Sequence, residues 1–215
     1  MIIAVDGPAG SGKSTVSKEV AKRIGLIFLD SGALYRTCAY IKIKYELDNP
    51  ALIDKVRHAE MFFGKSGELF LTLDGTTEEV SKKIRTPQIA EEVSKVASIP
   101  EIREAVTEIL RGMAKTQSVI MDGRDIGTHV FPNADFKFFL KATPLERAVR
   151  RQKDYSAQGI NMDINVIVKE IEERDRQDME RTHAPLRKAD DAIEIDTTHL
   201  TIEEVITIIT ARVRE

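Results

Sequence analysis

A glycine-rich segment near the start of the chain constrains the fold more than any other feature. It runs Gly7-Pro8-Ala9-Gly10-Ser11-Gly12-Lys13-Ser14 and matches the pattern G-x-x-x-x-G-K-[ST] at every specified position. The apolar run at residues 1–5 precedes it and is typical of a buried parallel strand. Apolar residues then recur at helical spacing over 16–24, and Gly25 can end that helix. Strand, loop and helix therefore follow one another in the order of a phosphate-binding P-loop.

The residue types of this segment suit a nucleoside triphosphate. Glycines allow backbone N–H groups to curl around the β-phosphate, and the helix N-terminus adds partial positive charge. Lys13 is placed to reach the β- and γ-phosphates, and the Ser14 hydroxyl is placed to bind Mg²⁺. The alternative, a glycine-rich turn that matches by chance, does not explain the flanking strand and helix. The predicted nucleotide site comprises Gly7, Pro8, Ala9, Gly10, Ser11, Gly12, Lys13, Ser14 and Thr15.

Composition and charge are those of an ordinary globular chain. Its 215 residues suit one domain, and a hydrophobic content of 42% is enough to bury a core. The formal net charge of -3 provides no broad basic surface, so we expect no nucleic-acid partner. The single cysteine, Cys38, excludes an internal disulfide and suits a reducing compartment. No apolar run is long enough to cross a bilayer, and the first strand begins at Met1. We therefore expect a cytoplasmic protein without a signal peptide or membrane partner, and we expect a monomer.

Four further apolar runs predict strands, and they alternate with helical patterns. They lie at residues 26–29, 118–121, 136–140 and 192–195. Five strands alternating with helices, with the P-loop after the first, predict an α/β fold of the P-loop NTPase type. Its centre is a doubly wound, five-stranded parallel sheet. A hairpin signal at residues 68–75 interrupts the alternation. It predicts a small β-rich insertion at about 61–84 within a single domain spanning 1–215.

Helix boundaries are predicted from capping residues and prolines. A helix over residues 33–45 is broken by Asn49-Pro50, and residues 51–63 show a second, weaker helical pattern. Further helices are predicted to begin at Thr86-Pro87, Pro100, Thr143-Pro144 and Thr201. Because ligands of doubly wound sheets bind at the carboxyl ends of the strands, residues directly after each strand are the first site candidates.

Two of these strand ends carry charged and polar side chains. They are Asp30, Ser31, Tyr35 and Arg36 after the second strand, and Asp122, Arg124 and Asp125 after the third. Two arginines beside a triphosphate site favour a second phosphate, since a guanidinium group binds phosphate oxygens bidentately. The alternative is that Arg36 and Arg124 pair with neighbouring aspartates at the surface.

A long predicted helix at residues 164–181 carries a row of side chains that changes character along its length. The row consists of Ile164, Ile167, Ile171, Arg174, Asp178 and Arg181. We infer that it faces inward throughout, first onto core and then onto a polar cleft. The alternative is an exposed ladder of i, i+4 ion pairs. The preceding helix adds Arg147, Arg150 and Arg151. Together these residues resemble a helical lid, at about 152–188, that lays arginines over phosphates and excludes water during phosphoryl transfer.

Four segments beyond the P-loop are informative when taken together. They are Leu29–Arg36, Ile84–Thr86 with Ser94–Ala97 and Pro100–Arg103, Asp122–Thr128 with Val130–Pro132, and Glu173–Asp175 with Asp178, Arg181 and Ala184–Leu186. These segments resemble the bacterial cytidylate kinase family of nucleoside monophosphate kinases, and the likeness covers nearly the whole chain. The segment that begins at Asp122 is the most specific. The family also carries a small β-rich insertion.

The resemblance implies roles for individual residues. Lys13, Arg124, Arg174 and Arg181 would be the catalytic residues, with Arg181 acting from the lid. The acceptor nucleotide would be bound by Ser31, Arg36, Ser94, Arg103, Arg124, Asp125, Arg174 and Asp178. Within that set, Arg36, Arg124 and Arg174 would handle phosphate, while Ser94, Arg103 and Asp125 would recognise the cytosine edge.

The implied activity is transfer of the γ-phosphoryl group of ATP to CMP and dCMP, with Mg²⁺ bridging the donor phosphates. The expected partners are therefore small molecules. Within the same class, the alternative is a kinase for another small acceptor, such as UMP or a non-nucleotide alcohol. Outside it, the alternative is a GTP-binding switch protein, which would carry an N-K-x-D guanine-recognition motif that this sequence lacks.

Overall fold

The strand and helix order predicted from the sequence recurs in the three-dimensional structure. A computed structural model describes residues 1–64, 67–157 and 159–214. In chain order the elements are β1 (Ile2–Asp6), α1 (Lys13–Ile24), β2 (Ile27–Asp30), α2 (Ser31–Lys44), α3 (Asn49–Arg57), β3 (Glu60–Phe63), β4 (Leu69–Leu73), β5 (Thr76–Glu79), α4 (Pro87–Val96), α5 (Pro100–Met113), β6 (Val119–Gly123), a π-helical turn (Ile126–Val130), β7 (Phe136–Lys141), α6 (Pro144–Ala157), α7 (Ile164–Glu180), β8 (Ile193–Asp196) and α8 (Ile202–Arg214).

A five-stranded sheet with the order β2-β6-β1-β7-β8 forms the centre of the fold. Strand β1 pairs in parallel with both β6 and β7, and β7 pairs in parallel with β8. The predicted five-stranded parallel sheet of an α/β fold is thereby confirmed. The register places Asp6, the last residue of β1, opposite Gly123 and Phe139. Residues that follow β1 and β6 therefore emerge at the same edge of the sheet.

The chain divides into two compact units. The first unit comprises Met1–Phe28 and Ser118–Glu215, and the second comprises Leu29–Gln117. In the first unit, α1 and α8 pack against one face of the sheet through a core that includes Val5, Val20 and Phe138, each at most 1% exposed. Fully burying side chains of this size stabilises the fold by roughly 1.5–3 kcal/mol each.

The second unit contains a three-stranded antiparallel sheet with the order β3-β4-β5. Its β4–β5 hairpin matches the predicted hairpin at 68–75. The prediction of one helix over residues 51–63 is wrong, because α3 ends at Arg57 and residues Glu60–Phe63 pair with β4. Side-chain exposure alternates along β3, with Met61 buried, as expected for an edge strand. Residues Asn49-Pro50 begin helix α3. The Asp48 carboxylate caps this helix, and proline is favoured in a first turn.

The other predicted helix starts agree with the structure. The Thr86 hydroxyl accepts the Ile89 N–H at 3.3 Å, so this threonine caps α4. At the start of α8, Thr201 and Glu204 each accept a backbone N–H from the other, which forms a capping box. In the part of the chain that the structure describes, no helix combines the length and hydropathy that spanning a bilayer requires.

Candidate active site

The glycine loop between β1 and α1 has a backbone shape that other residues would not tolerate. Gly7 has φ 146°, and a Cβ at this position would lie 2.0 Å from the carbonyl oxygen of Leu140. Gly12 directly precedes α1 with φ 90°, in the left-handed region. The loop therefore curls tightly enough to direct successive N–H groups toward one anion, as the P-loop motif predicts.

Lys13 lies folded against this loop. Its Nζ donates hydrogen bonds to the Pro8 carbonyl at 2.7 Å and to Ser11 Oγ at 3.4 Å. Burial, followed by the positive charge of Arg124, lowers the pKa of Lys13 to about 7. Its ammonium group is thus poorly solvated and close to a second cation. An anionic ligand at the loop would stabilise the charged form of this lysine.

Ser14 and Asp122 form a hydroxyl–carboxylate pair beside the loop. The Ser14 hydroxyl donates a hydrogen bond to Asp122 Oδ2, and Asp122 lies opposite Val5 in the β1–β6 register. A serine hydroxyl with one carboxylate, completed by substrate phosphates and water, is a donor set that suits Mg²⁺. The sequence analysis assigned Ser14 to the metal and did not name Asp122 as a candidate second ligand. Asp122 was named among the strand-end candidates, but its meeting with Ser14 depends on β6 lying next to β1, which only the sheet order shows.

A cluster of four charged side chains lies just beyond β6, and we call Arg124, Asp125, Asp178 and Arg181 the ionic cluster. Arg124 Nε donates to Asp178 Oδ2 at 2.9 Å. Arg181 lies between the two carboxylates, 3.5 Å from Asp178 Oδ1 and 3.5 Å from Asp125 Oδ1. Burial raises the pKa of Asp178, but the guanidinium groups around it, including that of Arg174, bring it below its ordinary value. The carboxylate is therefore ionised and paired.

The ionic cluster shows which face of α7 points inward. Ile167 and Ile171 are buried, while Asp178 and Arg181 on the same row reach Arg124 and Asp125. The inward orientation predicted for this row is confirmed, since its first half is core and its second half contacts charged side chains. An exposed ladder does exist, but it occupies another face of α7, where Arg176 pairs with Glu173 and Glu180.

The arginines of α6 are held by contacts within the protein. Arg147 is buried and donates to both oxygens of Asp175, at 3.0 and 2.5 Å, and to the Ala9 carbonyl of the P-loop at 3.1 Å. Arg150 donates to Glu146 and Thr197. Arg147 therefore connects α6, α7 and the P-loop, a connection that its place in the sequence did not indicate.

The second unit contains the remaining predicted acceptor residues. Ser31 is buried at the first position of α2, Arg36 lies half-buried on α2, and Ser94 lies half-buried on α4. Arg103 on α5 is 1% exposed, donates to the Ala97 carbonyl at 2.9 Å and places its guanidinium carbon 5.0 Å from the centre of the Tyr35 ring. In this unit the structure brings Arg103 and Tyr35 together.

The fold and the P-loop define a class, the P-loop NTPases, which bind a nucleoside triphosphate at the carboxyl edge of a parallel sheet. A family model described as cytidylate kinase matches residues 3–215. The chain therefore belongs to the cytidylate kinase family, and it is an enzyme of the kinase type.

Individual relatives agree with this membership. A cytidylate kinase of Lactobacillus johnsonii is 45% identical over 214 residues, which cover 98% of this chain and 92% of that protein. A cytidylate kinase of a Geobacillus species is 44% identical, covering 95% of this chain and 92% of that protein. Among solved structures, a shikimate kinase from Bacteroides thetaiotaomicron superposes with a TM-score of 0.50 at 15% identity, covering 100% of this chain and 99% of that one. That likeness concerns the fold alone.

Proposed function

We propose that this enzyme transfers the γ-phosphoryl group of ATP to CMP and dCMP, producing ADP with CDP or dCDP in pyrimidine nucleotide metabolism. The observation that carries the proposal is the ionic cluster next to a complete P-loop in the first unit. A triphosphate-binding loop alone would suit any NTPase. The added pair of partly buried arginines, Arg124 and Arg181, provides the charge that a second phosphate requires.

On the donor side, residues 7–15 would hold the ATP phosphates. The loop N–H groups would bind the β-phosphate, and Lys13 would exchange its contacts with Pro8 and Ser11 for the β- and γ-phosphates. Ser14 and Asp122 would hold Mg²⁺, which neutralises phosphate charge when bound. Phosphoryl transfer needs positioning and electrostatic stabilisation more than covalent chemistry, so direct in-line transfer requires no covalent intermediate.

On the acceptor side, the aspartates of the ionic cluster keep its arginines paired until a phosphate arrives. A buried guanidinium group without a partner would destabilise the fold strongly. Asp178 meets that need for Arg124 at 2.9 Å, and Arg181 is shared between two carboxylates. An incoming phosphate would take over some of these hydrogen bonds. Arg124, Arg174 and Arg181 would then stabilise the charge on the transferred group.

Base recognition follows from the chemistry of cytosine. Its 4-amino group is a donor, and a carboxylate is an acceptor, so Asp125 suits this edge and mismatches uracil. We assign Ser94 and Arg103 to the same base, Ser31 and Asp178 to the acceptor nucleotide, and Arg36 to its phosphate. These assignments rest on the family resemblance of the segments that contain them.

The segment at about 152–188 would act as a lid over the phosphates. Support comes from α7, which carries Arg174 and Asp178, ends at the C-cap residue Arg181 and is tied to the P-loop through Arg147 and Asp175. A lid that orders when both substrates are bound would keep water away from the γ-phosphate. Cytoplasmic location and a monomeric state stay predictions from the sequence.

One coupled assay tests the proposal. ADP formation is followed with MgATP and, in turn, CMP, dCMP, UMP, AMP, GMP and shikimate. We expect rapid turnover with CMP and dCMP, slower turnover with UMP and almost none without an acceptor. Preference for a non-pyrimidine acceptor, or acceptor-independent hydrolysis of GTP, would contradict the assignment.

A further inference from the structure

The connection between β6 and β7, residues 124–135, carries two members of the ionic cluster on an unusual backbone. Val130 N–H donates to the Asp125 carbonyl at 3.1 Å, and Phe131 N–H donates to the Ile126 carbonyl at 2.7 Å. Both bonds span five residues, which defines a π-helical turn. Such turns are rare and often lie at functional sites. Hydrogen bonds of the turn itself do not orient it relative to the sheet, so other groups must do so.

At its beginning, the turn is held by Asp6. The two carboxylate oxygens each accept one backbone N–H, from Ile126 at 2.8 Å and from Gly127 at 2.7 Å. Asp6 is 4% exposed and is the last residue of β1, directly before the P-loop. The same carboxylate therefore lies next to the phosphate-binding loop and bonds the two amides that follow Asp125.

At its far end, the connection is held by Lys137 on the neighbouring strand β7. Lys137 Nζ donates to the Pro132 carbonyl at 2.5 Å and pairs with Asp191 at 2.7 Å. The side chains of Asp6 and Lys137 meet at Gly127. A Cβ there would lie 3.2 Å from Lys137 Cδ and 3.3 Å from Asp6 Oδ2. Side chains from β1 and β7 therefore hold the beginning and the far end of this connection, and Gly127 lies where the two side chains approach each other.

The buried carboxylate of Asp6 costs free energy to ionise. Burial raises the pKa of Asp6 to about 6, although the two amide hydrogen bonds act against the rise. A raised folded-state pKa means that the ionised form, which predominates at neutral pH, costs folding free energy. Groups whose pKa is shifted by burial cluster at functional sites.

We propose that Asp6 and Lys137 are positioning residues for the acceptor side of the reaction. They clamp the π-helical turn to the sheet edge and so set where Arg124 and Asp125 present their charges. The clamp acts through these two residues and makes no contact with substrate itself. This inference rests on the proposed function only for the identity of the acceptor.

The test compares D6N, K137M and a control, D135N, in steady-state kinetics with CMP and UMP. Asparagine at position 6 keeps the shape but presents an NH₂ group to one of the two N–H donors, leaving a buried amide without an acceptor. We expect D6N to raise the KM for CMP by about tenfold and to narrow the CMP:UMP ratio of kcat/KM by up to about tenfold, the effect expected of D125N. The KM for ATP should stay within about twofold. K137M should shift the same two quantities in the same direction, by a smaller factor.

Asp135 makes the control well matched, because its carboxylate also accepts a backbone N–H of β1, that of Ile2 at 2.6 Å. It lies at the opposite end of that strand, so D135N should leave all kinetic constants near wild-type values. In the double variant D6N/D125N, the CMP:UMP ratio should be no narrower than in D125N alone, since the clamp acts through Asp125. A further narrowing in the double variant would overturn the proposal.

Two other results would also overturn the clamp. One is a wild-type KM and CMP:UMP ratio in both D6N and K137M. The other is a parallel loss for ATP and CMP that follows a lowered Tm, which is the pattern of a merely structural residue. If D6N does not fold, the KM for CMP and the CMP:UMP ratio of K137M test the proposal instead. If wild type prefers an acceptor other than CMP, the proposed function fails, and the clamp is measured on that acceptor, where the same rise in KM is expected.

Discussion

Two faces of α7 carry the same side-chain chemistry in different surroundings. On the outward face, Arg176 is 57% exposed and pairs with Glu173, which is 48% exposed. On the inward face, Arg181 is 8% exposed and pairs with Asp178, which is 16% exposed. Exposed pairs contribute little to stability, because solvent screens them and their long side chains lose entropy. Buried pairs lose solvation and are useful where a charged ligand must be met. Burial therefore separates a solvated face from a candidate site on one helix.

The most disruptive single change in the candidate site should be Lys13→Ala. We expect a loss of transition-state stabilisation of about 3 kcal/mol, roughly a hundredfold in kcat, comparable to removing one preorganised donor. The fold should survive. The pKa of Lys13 is lowered from 10.5 to about 7 in the folded protein, so its protonation costs stability as the pH falls below 10.5, fully below about 7, and alanine removes the cost. Single-turnover kinetics check the loss of activity, and thermal unfolding of the same preparation checks that the fold survives. Near-normal turnover would contradict the assignment of Lys13.

Arg174→Ala tests whether the ionic half of the inward row is functional. We expect turnover to fall by about tenfold to a hundredfold, the size of losing one charge-stabilising group, while the Tm changes little. The measurement is kcat with saturating ATP and CMP, together with the unfolding midpoint. Intact activity with a lowered Tm would mean that Arg174 has a purely structural role.

Asp125→Asn changes one atom of the carboxylate that pairs with Arg181 on the inward side. The amide keeps one acceptor oxygen but adds a donor, so it tolerates uracil better and holds the cytosine amino group less well. We expect the CMP:UMP ratio of kcat/KM to narrow by about tenfold, mainly through loss of CMP activity. An unchanged ratio with lower overall activity would mean that Asp125 supports the site and another residue recognises the base.

The smallest effect is expected on the outward face. Arg176→Ala removes the exposed ladder, so both turnover and the Tm should stay close to wild type. It is the matched control for Arg174→Ala, since both replace an arginine on the same helix. A loss of activity in Arg176→Ala as large as that in Arg174→Ala would remove the distinction between the two faces.

The sequence indicated local structure, such as helix starts, better than contacts between distant segments. Helix starts at Thr86 and Thr201 were predictable, because a cap and its partner lie within three residues of each other. The edge strand β3 was not, because Glu60–Phe63 has no strong strand pattern until β4 pairs with it. The inward face of α7 was predictable from its apolar half. Its partners, Arg124 and Asp125, were named as site residues but not as partners of α7.

The sequence by itself determined the P-loop, the order of strands and helices, and the family of the enzyme. All of these depend on residues that are close together along the chain or on motifs at fixed spacing. Only the tertiary structure decided that Asp122 meets Ser14, that Arg147 meets Asp175 and that Asp6 holds the amides after Asp125. Those residues are 108, 28 and 120 positions apart. Their meeting depends on strand order, sheet register and helix packing, which many weak contacts settle together and no local pattern encodes.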